Sequence, residues 1–420
     1  MLDVIAILVV LSALSAYVSH RFLHLPLTIG VMVTALALSL AGILLDSLGF
    51  ASGLRDAGTA LVRGIDFSEL LLQGFLSLLL FAGAMHVDLP MLKRYRWQVG
   101  SAAVIGTLAS ALIVGFGAWL LLPSIGIRLP LVWSLLFGAL IAPTDPVAVI
   151  GILRASRAPA DLEVIVSGES LFNDGVGITV FLLLLGAATQ GAWPSAETAL
   201  LAFAREAAGG LAFGVILGGC AFFVLRSVDE YGVEVLVTLA VAVGGYALAD
   251  RLGVSGPLAM VVAGIITGNQ GRSRAMSGTT WRYVDTFWEL IDDILNVMLF
   301  MLIGLEVLSI SFSPSLLVAG AGAVALTLVA RALSAAIPVA LAIRRTPLPA
   351  GLWRLLTWGG LRGGISVALA LSLPKGDERE VIVAMTYCVV IFSVLVQGAT
   401  VGYVARRVTS RHGSDEALKR

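Results

Sequence analysis

Residues 131–153 read LVWSLLFGALIAPTDPVAVIGIL. This segment is long enough to cross the hydrocarbon core of a bilayer, which takes about 20 apolar residues. Its middle nevertheless holds a carboxylate between two prolines. Pro143 and Pro146 lack backbone donors and disfavour helix in the residues before them. We therefore expect the helix to unwind around Thr144 and Asp145, with carbonyl groups that face a polar cavity.

The composition indicates that most of the chain lies in a membrane. Of its 420 residues, 58% are hydrophobic and 13% are charged, with a mean hydropathy of +0.98. Soluble domains hold about 25% charged residues. The chain is predicted to be an all-α polytopic membrane protein that contacts the lipid bilayer, and a net charge of zero gives no sign of a nucleic-acid partner. Apolar runs predict about thirteen transmembrane helices, at roughly 2–19, 25–45, 67–88, 97–122, 130–153, 163–188, 200–225, 233–250, 254–270, 284–311, 315–343, 352–373 and 380–405.

The charges of the loops predict the orientation of these spans. With the N-terminus outside, the odd-numbered loops and the C-terminal tail face the cytoplasm, and they hold most of the 27 lysines and arginines. Cytoplasmic loops of membrane proteins are enriched in these residues. We expect a multi-pass protein with its N-terminus outside and its C-terminus in the cytoplasm.

A weak internal repeat indicates two related halves. The sequence PLTIGV, which starts at Pro26 in the second span, resembles PLAMVV, which starts at Pro257 in the ninth. An offset of seven spans inverts the second copy, as in transporters with inverted repeats. The same offset pairs the fifth span with the twelfth, which contains WGGLRGG at 358–364. We expect spans 5 and 12 to be discontinuous helices that cross.

The sixth span, VSGESLFNDGVGITVFLLLL at 166–185, carries a polar stripe. An ionisable group at mid-membrane costs on the order of 2.5–3.5 kcal/mol, so each one requires a reason. Ser170 and Asp174 are four residues apart and share a helix face, while Glu169 and Asn173 share an adjacent one. The two carboxylates therefore point in different directions and are expected to have different partners.

The spans also contain two arginines, Arg331 and Arg362, and a membrane-buried arginine needs a buried anion. Glu169 is the best candidate for a structural ion pair, with either arginine as its partner. Asp174 is then not needed for this ion pair and can have another role. Asp145 is suited both to cap a half-helix and to bind an ion, and Asn173 is suited to hydrogen-bond the unwound backbone of the fifth span.

Other polar residues near the spans have plainer interpretations. Asn269 and Asn296 are expected to make interhelical hydrogen bonds. His20, His24 and His86 lie at predicted membrane edges, and we expect them to be solvated rather than to act as pH sensors.

Four stretches together resemble a known family. They are APTDPVAV, SGESLFNDGVGI, FWELIDDILNVMLFMLIGLE at 287–306 and GGLRGGISVALAL. In this order they resemble bacterial sodium/proton antiporters of the monovalent cation:proton antiporter-1 family, the NhaP-like group. The resemblance implies a homodimer in a bacterial or archaeal plasma membrane. It also implies a six-helix core domain at 97–188 and 315–405, an interface domain at 1–96 and 198–312, and a short cytoplasmic tail at 406–420.

The resemblance also implies a cation site. Asp174 would bind either Na⁺ or a proton, and Asp145, Ser170 and the main-chain oxygen of Thr144 would complete the site. Asn173 would hold the crossing of spans 5 and 12, and Glu169 would pair with Arg331 or Arg362. One position departs from the pattern, because Ala82 stands where related sequences often carry an acid.

These observations predict a secondary transporter and not an enzyme. We expect exchange of Na⁺ or Li⁺ for H⁺ by alternating access, without a cofactor. The exchange is expected to be electroneutral, since Asn173 rather than a second aspartate lies beside Asp174. K⁺/H⁺ exchange is the alternative within transport. A cation sensor lacks an output domain in this sequence, and an intramembrane aspartyl protease formed by Asp145 and Asp174 lacks its expected GxGD pattern.

Overall fold

The computed structural model describes residues 2–23, 27–47, 74–146, 149–151, 153, 160–191, 195–307, 313–342 and 352–417. Pro26, His24, all but the start of the predicted loop 46–66, and residues 67–73 of the predicted third span lie outside this set. Within it the chain is helical, and the only β-type pairing is one isolated bridge. The predicted all-α fold class is confirmed.

The helices are numbered here in chain order, and π-helical turns extend several of them. They are α1 (Leu2–Val18), α2 (Leu27–Ser47), α3 (Leu76–Met85), α4 (Leu89–Arg94), α5 (Arg96–Ser101), α6 (Thr107–Leu121), α7 (Leu131–Ile141), α8 (Ala160–Gln190), α9 (Ala196–Arg226), α10 (Tyr231–Arg251), α11 (Gly256–Ile266), α12 (Gly278–Glu306), α13 (Pro314–Ala342), α14 (Leu352–Trp358), α15 (Gly364–Leu371), α16 (Asp377–Phe392) and α17 (Gly398–Ala417).

Eight of the described helical stretches are long and apolar enough to cross a membrane, so the predicted number of thirteen spans is not confirmed. The shortfall has physical causes. Predicted spans 5 and 12 are divided by breaks, which leaves α7, α14 and α15 short. The described part of the third span, α3, has 10 residues. Span 10 corresponds to α12, which carries acidic residues along its middle.

The packing of the helices follows the predicted repeat. The second-span helix α2 packs on α12, and the ninth-span helix α11 packs on α3. A shift of seven spans exchanges these two contacts, because it carries the second span onto the ninth and the third onto the tenth. The fourth-span helix α6 packs on its own counterpart α13. This is the arrangement expected of two inverted halves.

The two broken helices meet at their breaks, as the sequence predicts for spans 5 and 12. The chain leaves helical geometry after α7, and it does so again between α14 and α15. The N–H of Asp145 donates to the carbonyl oxygen of Leu361 across the crossing, with an N···O distance of 2.8 Å. Each break therefore supplies a hydrogen-bond partner to the backbone of the other. In apolar surroundings, backbone polar groups need such partners within the protein.

The asparagines and histidines near the spans give mixed outcomes for the sequence predictions. Asn269 makes the expected interhelical bonds, since its Nδ2 donates to Val87 O and its Oδ1 accepts from Leu89 N. The prediction for Asn296 is wrong, because its Nδ2 donates to Asp292 O on its own helix. His20 is exposed as expected. His86 is more than a solvated side chain: its Nδ1 lies 2.9 Å from Ala82 O, and its Nε2 lies 3.5 Å from the Asp285 carboxylate.

Candidate functional site

A cavity of about 580 Å³ brings the breaks, α8 and α12 together. Thr144, Asp145 and Asp174 line it from the broken fifth span and α8. The α3 part of the lining consists of Leu79, Leu80, Gly83 and His86, and α12 adds Glu289, Asp292, Asp293, Asn296 and Leu299. Ala82 itself is fully buried. The described part of α3 therefore contributes no carboxylate to the lining.

Asn173 holds the unwound turn of the fifth span in place. Its Oδ1 accepts a hydrogen bond from Thr144 N at 3.2 Å, and its Nδ2 donates to Thr144 Oγ1 at 2.7 Å. The same Nδ2 lies 3.0 Å from Glu169 Oε1. Pro143 and Pro146 exclude regular helix here, so the side-chain amide takes the place of the missing helical bonds. One residue thus connects the break to α8 and to the carboxylate one turn earlier.

Ser170 contacts the same unwound turn. Its hydroxyl donates to the carbonyl oxygen of Thr144, and the Thr144 hydroxyl lies 3.4 Å from it. Both residues are almost fully buried. A carbonyl oxygen and a hydroxyl oxygen, each with a further lone pair, therefore lie side by side next to Asp145.

Asp174 differs from the other acidic residue of the stripe because it forms no salt bridge with the described residues. Its side chain is 6% exposed, and its buried Oδ1 has no hydrogen-bond partner in this part of the chain. The carboxylate lines the cavity with Asp145, whose charge acts on it. Buried carboxylates are ordinarily paired or hydrogen-bonded. Asp174 is therefore a buried ligand group that remains available.

Glu169 pairs with Arg331. The guanidinium group binds both carboxylate oxygens, with N···O distances of 2.7 Å and 2.8 Å, and its Nε donates to Leu356 O at 2.8 Å. The pair is buried, with side-chain exposures of 9% for Arg331 and 2% for Glu169. A bidentate geometry is the strong form of this interaction. It occupies the carboxylate fully and ties α8 to α13 and α14.

Arg362 lies at the crossing and makes a different set of contacts. Its Nη1 donates to the carbonyl oxygens of Ala142 and Pro143, at 2.6 Å and 2.8 Å. Its backbone N–H donates to Ser393 Oγ at 2.7 Å. The sequence left both arginines open as partners of Glu169, and the geometry separates them. Arg362 serves the carbonyl groups that the broken helix α7 exposes.

Two glycines of the break between α14 and α15 leave room for these side chains. A Cβ on Gly360 would collide with the guanidinium group of Arg331, and a Cβ on Gly363 would collide with the carboxylate of Asp145. Glycine is suited to such close approaches. The GGLRGG stretch therefore opens the crossing for one cation and one anion of the site.

Sequence reasoning missed Asp292 as a site residue. It lines the cavity and lies within electrostatic range of Asp145. A signal was available, because Glu289, Asp292, Asp293 and Asn296 recur with the i, i+3, i+4, i+7 spacing of one helix face. The resemblance to a family explains this stretch as a motif and gives no role to its polar face.

Known proteins resemble this chain along nearly its whole length. The family described as "sodium/hydrogen exchanger, transmembrane" matches residues 7–407. The chain is 49% identical to the Na⁺/H⁺ antiporter NhaP of Pseudomonas aeruginosa, over 97% of both chains. It is 31% identical to the Na⁺/H⁺ antiporter NhaH of Halobacillus aidingensis, over 92% of this chain and 98% of that one.

A solved structure has the same fold. The sodium proton antiporter MjNhaP1 of Methanocaldococcus jannaschii, determined at pH 8, matches 97% of this chain and 99% of its own with a TM-score of 0.75 and 21% identity. Since the family match covers nearly the whole sequence and the motifs that carry it meet in one cavity, the chain belongs to the sodium/hydrogen exchanger family.

Proposed function

We propose that this protein is a secondary transporter that exchanges Na⁺ or Li⁺ for H⁺ across a membrane. The observation that carries the proposal is Asp174, a buried carboxylate with an available oxygen in a cavity beside an unwound helix. The names of the NhaP and NhaH relatives support the choice of Na⁺ and H⁺. The transported ions are substrates, and the exchange requires no cofactor.

The cation ligands in this proposal are the oxygens that meet at the break. Asp174 and Asp145 supply carboxylates, Ser170 supplies a hydroxyl, and Thr144 supplies its main-chain carbonyl. These are hard oxygen ligands, which suit an alkali cation better than a transition metal. Asn173 keeps the turn in place, and the Glu169–Arg331 pair anchors α8 without entering the exchange.

Competition for Asp174 explains the exchange. Na⁺ binds the ionised carboxylate, and a proton removes the charge that Na⁺ needs, so the two ions exclude each other. Either ion lowers the cost of moving the site past an apolar barrier. Glu169 is neutralised by Arg331 and Asn173 has no charge, so we propose that one proton exchanges for one Na⁺ and that transport is electroneutral.

The movement that accompanies exchange follows from the two-halved packing. We propose that 97–188 and 315–405 form a core domain that moves against an interface domain made of 1–96 and 198–312, in a homodimer. The cavity is lined by Asp88 and Met91 near the third loop and by Ala160 and Glu163 near the fifth. The third and fifth loops are among the odd-numbered loops, which with the tail hold most of the lysines and arginines. We therefore propose that the cavity opens to the cytoplasm and that the N-terminus is outside.

Reconstituted protein tests this function directly. Proteoliposomes with an imposed pH gradient and a trapped pH dye would receive Na⁺, Li⁺ or K⁺. We expect Na⁺ and Li⁺ to collapse the gradient in the wild type and not in Asp174→Asn. Collapse by K⁺ alone would replace the substrate, and wild-type rates in Asp174→Asn would refute the assignment of the site. A membrane-potential dye in the same vesicles would report any charge movement that contradicts electroneutral exchange.

A further inference from the structure

We propose that Asp292 is a second cation-handling residue, which holds an incoming cation on the α12 side of the cavity and passes it to Asp145 and Asp174. This inference rests on the proposed exchange function and adds to it. Asp292 would set the apparent affinity for the cation. Asp174 would remain the group for which cation and proton compete.

The placement of Asp292 carries the argument. It lines the same cavity as Asp145 and Asp174 but belongs to α12, which packs on α2 and α3 outside the crossing. Asp145, in the broken fifth span, lines the cavity together with the carboxylates of Asp292 and Asp174. A cation that moves from Asp292 to Asp174 keeps a carboxylate beside it throughout.

A separate observation indicates that a cation is the expected occupant. Asp174 lines the cavity and is more than nine-tenths buried, and its buried Oδ1 has no hydrogen-bond partner among the described residues. Removing a hydrated ion from water is expensive unless charge is available nearby. A carboxylate on the facing helix lowers this cost before the ion reaches the buried site.

The immediate neighbours of Asp292 on α12 are less suited to this role. Glu289 and Asp293 also line the cavity but are exposed, whereas Asp292 is partly buried. An exposed charge attracts cations only through solvent, where salt screens it over about 10 Å at 0.1 M ionic strength. Asn296 lies one turn from Asp292 on α12, and its Nδ2 donates to the main-chain oxygen of Asp292 at 2.9 Å.

The packing of α3 makes the contribution of α12 more important. The residues that α3 gives to the cavity carry no carboxylate, and Ala82 is buried away from it. The helix α12, which packs against α3, presents the partly buried acid Asp292 to the same cavity.

The test is the dependence of exchange on Na⁺ concentration in proteoliposomes, for wild type, Asp292→Asn and the matched control Asp293→Asn. Each is measured at low and at high ionic strength, with choline chloride as the added salt. We expect Asp292→Asn to raise the apparent KM for Na⁺ by about tenfold at both ionic strengths, in the range usual for coupled sites. Asp293→Asn should raise it only at low ionic strength. Maximal rates should stay close to that of the wild type.

Asp292→Glu and the melting temperature in detergent separate cation handling from folding. We expect Asp292→Glu to restore an apparent KM near that of the wild type, and Asp292→Asn to melt like the wild type. An unchanged KM in Asp292→Asn, an effect abolished by salt, or a loss of activity that follows a lowered melting temperature and persists in Asp292→Glu would each overturn the inference. If the wild type exchanges ions and Asp292→Asn has the same apparent KM for Na⁺, the proposed function stands and only the role of Asp292 is refuted. If the wild type shows no exchange, both the proposed function and the role of Asp292 are refuted.

Discussion

At the scale of single residues, two carboxylates five positions apart on α8 have opposite environments. Glu169 is held by both terminal nitrogens of Arg331 and by Asn173. Asp174 has a buried oxygen without a hydrogen-bond partner among the described residues. The difference follows from helical geometry, because residues five apart do not share a face. One carboxylate is committed to holding helices together, and the other is available to an ion.

This difference predicts how the ion pair responds to substitution. We expect Glu169→Gln and Arg331→Gln each to lower stability by about 3–5 kcal/mol, because each leaves an uncompensated buried charge. The double variant Glu169→Gln/Arg331→Gln should recover a large part of this loss, since neither charge remains. The melting temperatures in detergent of the wild type, the two single variants and the double variant would measure these changes in stability. A double variant no more stable than the worse single variant would contradict a structural pair.

Sequence reasoning found the polar residues of the site but could not assign all their partners. Asp145, Asn173 and Asp174 are recognisable because polar groups in an apolar run need a cause. The choice between Arg331 and Arg362 depends on where each guanidinium group reaches across the crossing, and Gly360 decides that by leaving room for Arg331. Such a close approach between distant segments has no local signal. The roles of these residues in transport stay predictions.

At the scale of elements, the crossing depends on two breaks that differ in kind. Prolines interrupt the fifth span and glycines interrupt the twelfth. The proline break exposes carbonyl groups, to which the side chain of Arg362 in the glycine break donates. The Leu361 carbonyl of the glycine break accepts from the Asp145 N–H. Both breaks could be predicted from sequence, because Pro and Gly act on their own backbone. Their pairing was predicted only through the seven-span repeat.

The glycine break predicts a sensitive substitution. In Gly363→Ala the new methyl group would collide with the Asp145 carboxylate, so we expect a marked loss of Na⁺ exchange with a smaller effect on folding. Gly322→Ala is the matched control, because it lies within α13 and a Cβ there meets nothing within 4 Å. Transport assays and melting temperatures would be compared for both. Equal activity of the two variants would refute the importance of this contact.

At the scale of the whole molecule, the position of the cavity predicts the side of the membrane to which it opens. The loops near its lining residues are basic, which assigns its opening to the cytoplasm under the proposed orientation. Composition and repeat predicted the fold class, while the number of spans did not follow from them. Apolar length fails as a guide where a span is broken or, like α12, carries acids that face a cavity. The domain division and the dimer stay predictions.

Thiol labelling would test the side to which the cavity opens. In a protein whose Cys220 and Cys388 are replaced by serine, we expect Ala160→Cys, exposed at the cavity, to react with a membrane-impermeant maleimide only in inside-out vesicles. Ser124→Cys, exposed in the fourth predicted loop, should react only in right-side-out vesicles. The reverse pattern would invert the orientation, and reaction of both from one side would contradict the span assignment between them.

The bonds between Arg362 and the carbonyls of Ala142 and Pro143 also constrain how the protein is made. The ribosome synthesises Ala142 and Pro143, respectively, 220 and 219 residues before Arg362, which donates hydrogen bonds to their carbonyl groups. This separation corresponds to a delay of roughly 10–40 s at usual rates of synthesis. During that time the nascent chain holds bare carbonyl groups at the depth of the lipid tails. The N-terminal half is therefore expected to remain with the insertion machinery until the twelfth span arrives, and to be degraded when it is produced alone.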